Sequence, residues 1–144
     1  MKMIVYNRSS FKDILDIERK LNTLEDEMSI HYDEKIVSKY NDLLSRYEYM
    51  GGYRYKKEIE VILSKFDFSD DDKDKYLNEF SGGQLTKLSL IRLLLSKPDL
   101  LILDEPTNHL DIKAIEWLED YLKEYKGSII LVSHDRMFLD NVCN

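Results

Sequence analysis

Two aliphatic runs near the C-terminal end constrain the fold most. Leu100 to Leu103 is apolar at every position between Pro98 and Asp104, and Ser128 to Ser133, SIILVS, is a second such run. Runs with no polar alternation are expected of strands buried on both faces, as in a parallel sheet. Between them Ile115, Leu118, Leu122 and Tyr125 recur at intervals of 3, 4 and 3, which is one face of a helix. Gly127 is placed to stop that helix. Strand, helix, strand across this span predicts a βαβ unit with a right-handed crossover.

The preceding residues read as helices. Ile14, Ile17, Leu21, Leu24 and Met28 are spaced 3, 4, 3 and 4 apart; Ile36, Tyr40, Leu43, Tyr47 and Met50 are spaced 4, 3, 4 and 3. Each series is an apolar stripe with a coiled-coil-like seam. With the polar SIHYDE between them they predict an antiparallel helical hairpin over 11–50. Gly51 and Gly52 interrupt the pattern, and Ile59, Ile62, Leu63 and Phe66 resume it. Asp70, Asp71 and Asp72 could form a metal site, but read as a solvated loop and helix N-cap. The organisation expected is therefore a hairpin (11–50), a further helical segment (51–97) and a βαβ segment (98–144), a helix-rich α/β fold.

Composition narrows the class of function. At 144 residues, 43% hydrophobic and 34% charged, the chain is one globular domain. A net charge of −7 argues against a broad nucleic-acid surface, although a local basic face could still touch RNA. The single cysteine, Cys143, cannot form an internal disulfide, which fits a reducing cytosol. No apolar run approaches the length of a membrane span, and MKMIVYNRSS lacks the apolar core of a signal peptide, so a soluble cytoplasmic protein is expected.

Three stretches carry chemistry. LLILDE puts Asp104 and Glu105 at the carboxyl end of a predicted strand, the edge where open α/β sheets bind ligands. One carboxylate there can hold Mg²⁺ through water, and a second can orient or deprotonate an attacking water. SGGQ, Ser81 to Gln84, opens a predicted helix over Leu85 to Leu95; its glycines let a ligand approach, and free N–H groups favour an anion. A plain capped helix start explains SGGQ equally well by itself. His134, in VSHDR after the second strand, comes beside Asp104 if the strands pair in parallel, and can there reach a phosphate.

In this order, FSGGQ, LLILDE, NHLD and VSHDR resemble the C-terminal half of an ATP-binding cassette (ABC) ATPase, a P-loop NTPase-type fold. FSGGQ looks like the signature with Phe80 where leucine is usual, LLILDE like Walker B, NHLD like the D-loop, and VSHDR like the switch-histidine loop. EPTNHLD and SHDRMFLD resemble the ABC-F class, which is soluble, carries two cassettes per chain and acts on ribosomes. YEYMGGYRYKKEIEVIL resembles the segment before the signature of the first ABC-F cassette, where a helical hairpin called the arm is inserted. The resemblance implies that Asp104 coordinates Mg²⁺, that Glu105 polarises the hydrolytic water and that His134 contacts the γ-phosphate. It implies that Ser81, Gly82, Gly83 and Gln84 bind ATP held by a second cassette, and that Asp111 couples the two sites. Lys87 stands where arginine is common.

One departure is large. A P-loop needs G-x-x-x-x-G-K-[ST], and no two glycines here are five apart. Gln84 is the only glutamine, so no Q-loop glutamine lies upstream. The expectation is a piece of an ABC-F first cassette that begins after the Q-loop, binds no ATP tightly and is inactive alone, ATP and Mg²⁺ belonging to the parent. SIILVS would also lack the P-loop strand as neighbour, exposing an apolar edge and favouring a dimer, a swapped assembly or aggregation. Other readings are the energising cassette of a transporter, a non-enzymatic interaction module and a DNA-repair ATPase.

Overall fold

Apolar residues three and four apart share a face only on a helix, and the first two series each form one. The computed structural model describes residues 1–3, 11–31 and 33–143. Helix α1 spans Lys12–Ile30 and α2 spans Glu34–Tyr49. Ile14, Ile17, Leu21, Leu24 and Tyr47 are buried. Asp33 caps α2, accepting from the Lys35 N–H at 2.8 Å. Tyr32 in the predicted turn, residues 4–10 of the N-terminal stretch and Asn144 lie outside the described residues.

The chain divides into two compact units, Phe11–Glu58 and Met1–Ser10 with Ile59–Asn144. At the base of the hairpin Glu18 accepts from the Tyr55 hydroxyl at 2.8 Å and from Lys56 at 2.7 Å. Gly51 has φ +79°, and a Cβ on Gly52 would overlap the Tyr47 ring, so this turn needs both glycines.

Helix α3, Tyr55–Lys65, leads into the second unit, whose core holds Ile59, Ile62, Leu63 and Phe66. The Phe66 ring meets Trp117 edge-on, centroids 5.6 Å apart. The aspartate run becomes a short 3₁₀ turn, Asp71–Asp74. The expectation of a solvated loop fails at Asp72, which is buried and accepts from the Ser69 N–H at 2.8 Å, the Ser69 hydroxyl at 2.9 Å and Lys75 at 2.6 Å. Three donors compensate the buried charge. No cluster of three or more metal-ligating side chains occurs among the described residues.

Helix α4, Gly82–Ser96, ends at Lys97 in the left-handed region, and β1, Leu100–Asp104, follows. Helix α5, Ile112–Lys123, and β2, Ser128–Val132, complete the unit with α6, Arg136–Cys143. The strands are parallel, in register from Leu100 beside Ser128 to Asp104 beside Val132. The helix-rich α/β expectation with a parallel βαβ segment is met.

Two local expectations change. The strands are not buried on both faces: Leu101 and Leu103 are buried, whereas Ile102, Ile130 and Val132 are each more than half exposed. Helices cover one face, and the two-stranded sheet of the described residues has nothing on the other. Gly127 does not stop α5, which ends at Lys123. A Cβ there would sit 2.7 Å from the Asp99 carbonyl oxygen, so this glycine admits β2 beside the Pro98–Asp99 backbone.

Candidate functional site

The carboxyl ends of the two strands bring the predicted residues together. Asp104 ends β1, exposed, opposite Val132. The Glu105 N–H donates to the Val132 carbonyl at 2.8 Å, extending the ladder by one bond. Glu105 then turns, with φ +45°. That is the left-handed region, unfavourable for a residue with a Cβ, and Pro106 disfavours helical backbone before it.

After β2, Ser133 and Asp135 are occupied in building the turn. The Ser133 hydroxyl accepts from the Asp135 N–H at 3.1 Å, and the Asp135 carboxylate accepts from the Phe138 N–H at 3.1 Å. His134 between them is left 99% exposed, its Nε2 3.5 Å from Glu105 Oε1. This contact is an approach of charges rather than a hydrogen bond, and Glu105 Oε1 is buried with no hydrogen-bond partner. A buried carboxylate oxygen without a donor is costly, and its position suits an incoming water or other polar ligand.

Magnesium fits this end of the sheet in a limited way. Asp104 offers one exposed carboxylate, and Mg²⁺ takes one or two carboxylates with waters and phosphate oxygens. The remaining coordination would come from water and phosphate. The chain has no P-loop to hold a triphosphate, so its residues fit the metal side and the attacking-water side of a nucleotide, not the phosphate cradle.

The signature residues form a capping box. Ser81 caps α4, its hydroxyl accepting from the Gln84 N–H at 3.3 Å, while the Gln84 side chain accepts from the Ser81 N–H at 3.0 Å. That satisfies two donors reciprocally. Nothing lies within 4 Å of where a Cβ on Gly82 would stand, so internal packing does not require glycine there. Gly83 faces the His109 ring: a Cβ on this glycine would stand 3.6 Å from His109 Cγ, an ordinary van der Waals contact.

Asp111 caps α5, accepting from the Ala114 N–H at 2.9 Å. Lys87, one turn into α4, approaches the same carboxylate at 3.8 Å. The turn between Walker B and Asp111 is thus tied to α4 twice, through His109 on Gly83 and through Lys87. Sequence reading missed this tie; the signal was Lys87 lying three residues after Gln84 on the same helix. A groove of about 260 Å³ beside β1 is lined by Lys87, Ile102, Asp104, Glu105 and Asn108 among others. No helix of the described residues is long and apolar enough to cross a membrane.

The ABC transporter family profile matches residues 3–108. Over 126 residues the chain is 37% identical to ATP-binding protein Uup of Haemophilus influenzae, covering 88% of this chain and 19% of that protein. It is 37% identical over 139 residues to ABC transporter F family member 2 of Arabidopsis thaliana, covering 93% and 20%. It is 37% identical over 130 residues to Energy-dependent translational throttle protein EttA of Mycobacterium tuberculosis, covering 88% and 23%. The chain spans about a fifth of the length of these curated relatives.

Proposed function

The chain belongs to the ABC transporter family, and we propose that it supplies the hydrolytic and signature parts of an ABC-F cassette. The observation that carries this reading is the meeting of Asp104, Glu105 and His134 at the carboxyl ends of two parallel strands. Asp104 takes Mg²⁺, Glu105 orients and deprotonates the attacking water, and His134 reaches the γ-phosphate. ATP and Mg²⁺ supply the phosphoryl group and neutralise its charge when bound. Ser81, Gly82, Gly83 and Gln84 face ATP held by a second cassette, with Asp111 coupling the two sites. The hairpin over 11–50 is the arm, 51–97 the rest of the helical subdomain and 98–144 the core half.

The chain alone is inactive in this reading. Backbone amides and a lysine provide most of the grip on phosphates in P-loop enzymes, and the sequence contains no such loop. The relative named for an energy-dependent role in translation supports a cytoplasmic, ribosome-associated protein.

Co-expression with a segment carrying G-x-x-x-x-G-K-[ST] tests the reading. Magnesium-dependent ATPase should appear in the complex and fall by about 10²–10⁴ on Glu105→Gln, the range for a lost general base. No ATPase in a stable complex would contradict it. Nucleotide-independent ribosome binding in that case would favour a non-enzymatic interaction module.

A further inference from the structure

Charge is unevenly spread along the hairpin. Residues 25–34, EDEMSIHYDE, at the turn carry Glu25, Asp26, Glu27, Asp33 and Glu34 and no lysine or arginine. Residues 46–57, RYEYMGGYRYKK, at the base carry Arg46, Arg54, Lys56 and Lys57 against Glu48. Glu18 holds Lys56 at 2.7 Å. Arg46, Arg54 and Lys57 are exposed and form no salt bridge among the described residues.

The base also displays aromatic rings. Tyr47 and Tyr55 are buried, but Tyr49 is 90% exposed and Tyr53 66%. Tyr53 stands edge-on to Tyr47 with centroids 5.2 Å apart, which fixes the plane of its ring. The Arg54 Nη2 lies 3.6 Å from where a Cβ on Gly51 would be, so the guanidinium folds over that glycine. Arg46 lies one helical turn before Tyr49. Lys57 is three residues after Arg54, in the first turn of α3.

Exposed rings beside unpaired cations match single-stranded nucleic acid, whose bases stack on aromatic faces while cations follow the phosphates. We propose that the base of the hairpin, Tyr49 and Tyr53 with Arg46, Arg54 and Lys57, is a contact surface for RNA with unpaired bases. RNA rather than DNA rests on the ribosome-associated reading above. The acidic turn, roughly 20 Å away at 1.5 Å per residue, does not cancel the attraction, because charges are screened over about 8 Å at physiological salt. The RNA-facing part of the hairpin is therefore its base and not its tip.

Fluorescence anisotropy of the full chain with a labelled single-stranded RNA oligonucleotide tests this. Tyr49→Ala should weaken binding about fivefold or more, the loss expected for one stacked base. Arg54→Gln and Lys57→Gln should each reduce the slope of log affinity against log salt by about 0.7. Neutralising Glu25, Asp26 and Glu27 should change affinity less than about twofold at physiological salt. Tyr49 makes no ring contact among the described residues, so an unchanged melting temperature for Tyr49→Ala excludes misfolding. Absence of RNA binding by the unaltered chain, or base variants that bind like it, would overturn the proposal. Co-sedimentation with ribosomes separates the two readings. Ribosome binding retained in the triple variant of Tyr49, Arg54 and Lys57 overturns the surface alone. Oligonucleotide binding as expected, without ribosome binding, overturns the ribosome reading alone.

Discussion

At Glu105 both backbone and side chain are held in states that folding alone does not favour. The residue has positive φ, and its buried Oε1 has no hydrogen-bond donor. Such strain is tolerated where it positions chemistry. Glu105→Gln should therefore raise stability by about 0.5–1 kcal/mol in urea denaturation, since it removes an uncompensated charge beside Asp104. A loss of more than that amount would mean that the carboxylate has a structural partner. Gly82 makes the complementary case. Open space surrounds its Cβ position at the first turn of α4, so Gly82→Ala should leave stability within about 0.5 kcal/mol, on the stabilising side. The same change should abolish the ATPase of a reconstituted two-cassette complex. Together these outcomes would assign Gly82 to a ligand and not to the fold.

Among the elements, the aspartate turn before the signature is the most pH-sensitive. The Lys75 ammonium, then the Ser69 N–H, holds the Asp72 carboxyl below its ordinary value. A lowered carboxyl favours the folded state whenever it is ionised. Its contribution is thus complete above about pH 4 and is lost as pH falls through the lowered value. Asp72→Asn should cost about 1–2 kcal/mol at pH 7 and flatten the acid limb of the stability profile. This turn was poorly legible in the sequence, because three adjacent aspartates look alike and only tertiary packing selects the one to bury. The helices were legible, because their stripes at three and four residues are a one-dimensional record of a buried face. Ser81 announced its cap, but Gly127 misled, since a glycine needed for close backbone approach has the same letter as one that ends a helix. The strained backbone at Glu105 left no mark, because a proline after it argues against the conformation it adopts.

Across the molecule, the exposed sheet face is the clearest departure from the sequence reading. Apolar runs predicted strands buried on both sides, and Ile102, Ile130 and Val132 lie open instead. The runs recorded a burial that this chain by itself does not complete, whereas the parallel pairing and the convergence of Asp104, Glu105 and His134 were correctly legible from the order of motifs. An apolar face of this kind favours association. Ile102→Thr with Ile130→Thr should reduce self-association in light scattering while changing stability by no more than about 0.5 kcal/mol per site. Unchanged association would place the contact elsewhere. Above all, the chain holds the hydrolytic residues of a cassette without the means to grip a triphosphate. The decisive experiment is magnesium-dependent phosphate release from ATP by the purified chain alone. No turnover above background is expected, with or without Glu105→Gln, whereas turnover that Glu105→Gln removes would refute this division of labour.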